Sequence, residues 1–182
     1  MVEAKFTSEM LEVLKDLKGK TFKSYECNKI GDNCCNQYCR INLGTYSIEL
    51  TNYESELPFF DSTEDIPVFE CLKVDKDSAP NISDKCDRPH VYMVDEVIKN
   101  VSIINDVINV NDGEYIISID QALVLETRNN IRSFYKDWMF SENINFYTDR
   151  KESHAYEIDK VKYDWSDRNK DKVTINRTQI VL

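Results

Sequence analysis

Glycine is scarce in this chain: four among 182 residues, at positions 19, 31, 44 and 113. No two stand closer than 12 residues. That excludes the dinucleotide-binding glycine loop, the phosphate-binding loop and the nucleophile elbow, all of which need closely spaced glycines. Histidine occurs only at positions 90 and 154, which excludes a zinc-protease HExxH helix. Basic residues are also few, 23 Lys and Arg against 33 Asp and Glu, for a formal charge of −10. A protein that grips nucleic acid or an anionic membrane needs a basic face, so no nucleic acid and no membrane is expected as a partner. Nor is there an apolar run long enough for a membrane span, or a continuous apolar core in the first 20 residues that would read as a secretory signal. The expectation is a cytoplasmic protein with reduced thiols.

What is present suits a folded domain, with 41% hydrophobic and 11% aromatic residues. Residues Thr7 to Lys18 predict a helix. Thr7 or Ser8 serves as cap, Met10, Leu11, Val13, Leu14 and Leu17 fall at helical spacing, and Gly19 stands where a left-handed terminating residue is wanted. Beyond it the pattern turns to period two, with β-branched and aromatic residues. Strands are expected at Thr21–Cys27, Cys39–Leu43, Tyr46–Thr51 and Val68–Val74, then at Asn100–Ile104, Val107–Val110, Glu114–Ile119, Ala122–Thr127, Ile131–Tyr135 and Ile144–Tyr147. Val94–Ile104 as a whole reads as mostly strand, although its Val94, Val97, Ile98, Val101 spacing also suits a helix. Asn111-Asp112-Gly113 and Arg128-Asn129-Asn130 read as hairpin turns. Tyr156–Trp165 and Lys172–Leu182 read as a C-terminal hairpin around SDRNKD. A faint echo links residues 47–66 to 122–144, as two related small barrels would.

The expected fold is therefore α+β and mainly antiparallel. One N-terminal helix packs on two small β modules, SH3-like or barrel-like, followed by a C-terminal β-hairpin; a single β-sandwich or meander is the alternative. Residues 1–75 hold the helix and first module, 76–89 a linker or long loop with Pro80 and Pro89, and 90–182 the second module and hairpin.

Three groups of residues carry chemistry. Cys35 and Cys39, with Cys86 and His90, make two pairs at x3 spacing that could supply a Cys3His zinc site, although zinc ribbons normally use CxxC knuckles. Without it no cofactor is expected. The second group is an acidic span. From Ile41 to Leu72 there is no Lys or Arg but seven acids, while Arg150–Leu182 is net +2. Glu54, Glu56 and Asp61, interleaved with Phe59 and Phe60, suit a basic protein partner, because acids steer the encounter and aromatics anchor it. The third is Phe134–Phe140, with four aromatics and a methionine, in which Lys136 is expected at the exposed end. Carboxylate pairs such as Asp112/Glu114 and Asp164/Asp167 follow from composition alone, so no residue is nominated as catalytic and the chain leans away from being an enzyme. The expected function is a small acidic protein-binding module, an inhibitor or immunity-type factor for a basic protein. A zinc-stabilised module and an enzyme with a dispersed site are the alternatives, and the oligomeric state is left open.

Overall fold

The computed structural model describes residues 1–27, 38–59, 62–78, 89–166 and 171–182. Their elements run β1 (Val2–Ala4), α1 (Ser8–Lys15), β2 (Thr21–Cys27), β3 (Tyr38–Asn42), β4 (Tyr46–Phe59), β5 (Ser62–Asp75), β6 (His90–Val97), β7 (Asn100–Val110), a 3-10 turn (Asn111–Gly113), β8 (Tyr115–Glu126), β9 (Ile131–Lys136), β10 (Ile144–Asp149), α2 (Ile158–Trp165) and β11 (Val173–Val181). The strands form two sheets. The first has the order β5-β4-β3-β2-β6; the second has β10-β9-β8-β7-β11, with β1 alongside β8. Only the β1–β8 pairing is parallel among the described residues. The fold is thus β-rich α+β, and no helix among the described residues is long and apolar enough to cross a membrane.

Local sequence explains the first helix. Thr7 stands in extended conformation and its hydroxyl accepts the Met10 N–H, capping α1 as its residue type predicts. Regular helix ends three residues earlier than the Lys18 of the sequence reading, and single turns carry the chain on to Gly19. There φ is +83°, which glycine adopts without strain, and the Gly19 N–H donates to the Ile98 carbonyl.

Val94–Ile104 is not one strand. Ile98, fully buried, turns a corner: its backbone bonds Lys20 while Lys99 N–H bonds the Glu126 carbonyl, so β6 closes the first sheet and β7 enters the second. The C-terminal hairpin is likewise corrected. Residues Ile158–Trp165 form α2, and β11 pairs with β7 instead. Alternation slips between Ile158 and Val161, whereas Ile158, Val161 and Trp165 share one helical face, and Val161 and Trp165 are buried there. The expected strands at 46–51 and 68–74 belong to one hairpin of two 14-residue strands. Its prolines are tolerated because Pro67 lies on the edge strand β5, and Pro58 lies beyond Thr51, the last β4 residue that pairs with β3 among the described residues. The echoed segments fold differently: residues 47–66 are this hairpin, while 122–144 pass through a turn at 127–130.

The main core draws on α1 and both sheets. Leu14, Leu17, Phe22, Ile41, Ile48 and Leu50 meet Val101, Ile103, Leu123, Leu125 and Phe134. A second cluster gathers α2, β1, the β7–β8 end and Ile66 of β5, with Leu57 of β4 against it. Most of the expected 76–89 linker, together with Cys34, Cys35, Phe60, Asp61, Cys86 and Asp167, lies outside the described residues.

Candidate functional site

The acidic span folds largely into the β4–β5 hairpin. Backbone alternation puts Glu54 and Glu56 on one face, and the antiparallel register sets Asp65 directly opposite Glu56 and Pro67 opposite Glu54. Glu64 lies across from Leu57 on the other face. Glu54, Glu56, Glu64, Asp65 and Glu70 are all exposed. None makes an ion pair among the described residues. Thr63 Oγ1 donates to Glu56 Oε1 at 3.0 Å, the strongest local support that carboxylate receives. The hydroxyl of Tyr53 registers this field: burial pushes its pKa up, and the carboxylates of Glu142, Glu49 and Glu70 add to the rise.

Not every acid of the span is free to act outward. Glu49 is buried, accepts a hydrogen bond from Tyr38 at 3.0 Å and belongs to the fold. Near it, buried Arg40 donates to the Ser78 and Asp75 carbonyls, each at 2.8 Å, and holds the chain leaving β5. The aromatics divide too. Phe69 stacks on Phe6 in the core, with ring centroids 5.6 Å apart, and Tyr46 bonds Asp16 of the α1 C-terminus. Tyr53 is half-buried and, by alternation, on the opposite face of β4 from Glu54 and Glu56, while Phe60, Asp61 and the side chain of Phe59 lie outside the described residues.

Of the zinc quartet, Cys39 and His90 are described. Cys39 sits fully buried on β3 opposite Cys27 of β2, and Cys27 is in turn opposite His90 of β6. A whole strand therefore separates the two. Burial holds the Cys39 thiol well above its ordinary pKa, the reverse of what an open metal ligand needs. Among the described residues no three His, Cys, Asp or Glu side chains gather as a metal group.

A polar centre that sequence reasoning missed lies between the sheets. Lys136, expected at the exposed end of its segment, is fully buried: it follows Phe134 at period two on β9, and both face the core. Its ammonium donates to the Pro67 carbonyl and lies 5.1 Å from the centre of the Phe69 ring. Burial brings its pKa down to about 7, opposed by the negative charge of Asp120. Asp120 itself is 4% exposed; its Oδ2 accepts the Phe6 N–H and its Oδ1 the Asn105 amide, each at 2.8 Å. Ser118 donates to Asn105 and completes the chain of bonds. β8 carries one extra residue here, Gln121, relative to β7, and both polar atoms of its buried side chain lack a hydrogen-bond partner. The extra residue brings Asp120 and Gln121 together into the interior. A cavity of about 510 Å³ opens beside Asp120, between residues 3–11 and strands β7 and β11. The period-two pairing of Phe134 with Lys136 was the one signal of this centre in the sequence.

Among the composition-derived carboxylate pairs, Asp112 is tied to Lys172 at 2.6 Å and Glu114 accepts from Asn111, so both secure the β7–β8 turn. Comparison with known proteins returns no match: no family model, no curated protein and no solved structure is significantly similar to this chain.

Proposed function

We propose that this chain is an acidic binding module of the inhibitor or immunity type, and that the β4–β5 hairpin receives a basic protein. The observation that carries the reading is the acidic outer part of the hairpin: Glu54, Glu56 and Asp65 share one exposed face and make no ion pair among the described residues. Like charges set directly across two strands oppose folding, so Glu56 facing Asp65 costs stability, with the Thr63 hydroxyl donating to Glu56 as local support. A long strand pair projects those charges, and a net charge of −10 extends their field toward a cationic partner. This reading sets the protein in the cytoplasm, where the buried thiols of Cys39 and Cys71 stay reduced.

The test begins with native mass spectrometry of the chain purified from its host's lysate, which identifies a retained basic protein by mass. Association of that protein is then measured against the triple variant Glu54→Lys, Glu56→Lys, Asp65→Lys. The association rate is expected to fall by about tenfold or more at low salt, with the gap closing as salt rises. Unchanged rate and affinity would refute the reading.

A further inference from the structure

The cavity lined by the first turn of α1 holds a buried carboxylate, Asp120, that makes no ion pair among the described residues. Asp120 stands at its floor, 4% exposed, held only by two neutral donors, the Phe6 N–H and the Asn105 amide. A carboxylate oxygen accepts two hydrogen bonds, so each oxygen keeps one site open. Two cations stand near without contacting it: Lys5 lies 2.6 Å from Glu3 Oε1, Lys136 donates to the Pro67 carbonyl, and the charges of both favour the ionised form of Asp120. The rest of the wall is mainly apolar, formed by Phe6, Leu11, Ile103 and Ile180 with the Thr7 and Ser8 side chains at one end. At about 510 Å³ the space is of the size that takes a small organic ligand.

We propose that this cavity binds a small molecule with an apolar body and a single ammonium group, the ammonium paired with Asp120. The charge decides the class. Glu3 and Lys5 offset each other, so Asp120 leaves the wall net negative and disfavours an anionic ligand. A buried carboxylate with unused acceptor sites gains most from a cation that arrives without competing water. The apolar walls then take up the hydrocarbon part. The site lies apart from the β4–β5 hairpin and does not depend on it.

The experiment is a titration of the full ¹⁵N-labelled chain with n-hexylammonium chloride and, separately, with 1-hexanol of the same length, at neutral pH. The amide of Phe6 reports on Asp120 directly. The expected result is a saturating shift at Phe6 with hexylammonium and binding of hexanol weaker by about tenfold or more. Asp120→Asn keeps the shape and an acceptor for Phe6, and it is expected to abolish the preference. Ile180→Trp, at a half-exposed wall position that tolerates bulk, is expected to weaken both ligands. Equal affinity for amine and alcohol would overturn the proposal. So would the lack of a saturating Phe6 shift up to about 50 mM hexylammonium, a concentration well above a millimolar Kd.

Discussion

The β4–β5 hairpin and the β7–β8 region treat the same residue type in opposite ways. On the hairpin, Glu54, Glu56 and Asp65 stand exposed on one face and make no ion pair among the described residues. In the second sheet, Asp106 is fully buried, and Arg177 of β11 grips it with Nε and Nη2, each at 2.7 Å. The same guanidinium also donates to the Tyr156 carbonyl, tying the approach to α2 onto the sheet. Asp120 is buried beside it with neutral donors alone. The contrast teaches where a carboxylate's free energy goes. Inside, desolvation is offset only by donors already in position, and the charge is consumed in holding strands together. Outside, nothing is offset, and the charge acts at a distance of about 8 Å or more, depending on salt.

Breaking the buried side of this comparison should have the largest effect. Arg177→Met removes the partner of Asp106 and leaves an uncompensated carboxylate in the interior, a change expected to cost about 3–5 kcal/mol. Urea unfolding measures it, and a midpoint equal to that of the parent chain would show the pair to be neutral.

A smaller effect comes from Lys136 and depends on pH. Its pKa is about 7 when folded, against 10.5 ordinarily. Between those values the unfolded chain binds more protons, so this group's contribution to stability rises with pH, by up to about 1.4 kcal/mol per pH unit. Burial also pushes the thiol of Cys71 up to about 12 from 9.0, which opposes the rise once unfolded thiols ionise. The clean window is therefore about pH 7 to 8.5, and the quantity to read is the slope of the parent chain minus that of Lys136→Met. A slope that the substitution leaves unchanged would mean that Lys136 stays charged in the core.

The exposed side should respond least. Asp65→Lys replaces the like-charge pair across the hairpin by an opposite-charge pair with Glu56, and it is expected to stabilise the fold by about 0.5 kcal/mol. If thermal unfolding shows a loss instead, Asp65 is making a structural contact and the hairpin is not spare charge.

Parts of this comparison were legible from residue order. The Lys- and Arg-free run from 41 to 72 marked the acidic face correctly as a segment, and period two marked its strands. Alternation puts Glu49 and Glu54 on opposite faces of β4, but it could not tell which face is covered at each point: Glu49 is buried and accepts from Tyr38, whereas Glu54 is exposed.

The sequence by itself determined the features whose causes lie within a few residues. Thr7 caps α1, Gly19 takes a positive φ, and Asn111-Asp112-Gly113 turns β7 into β8 with positive φ at all three residues. These follow from local hydrogen bonding and backbone sterics. Tertiary structure decided that the helical face of Ile158–Trp165 is covered, since the second cluster supplies the surface that Val161 and Trp165 meet. It also decided that Lys136 is buried and that Asp120 faces a cavity. A side chain's face is set by its own strand, but whether that face meets water or protein is set by what the rest of the chain lays over it.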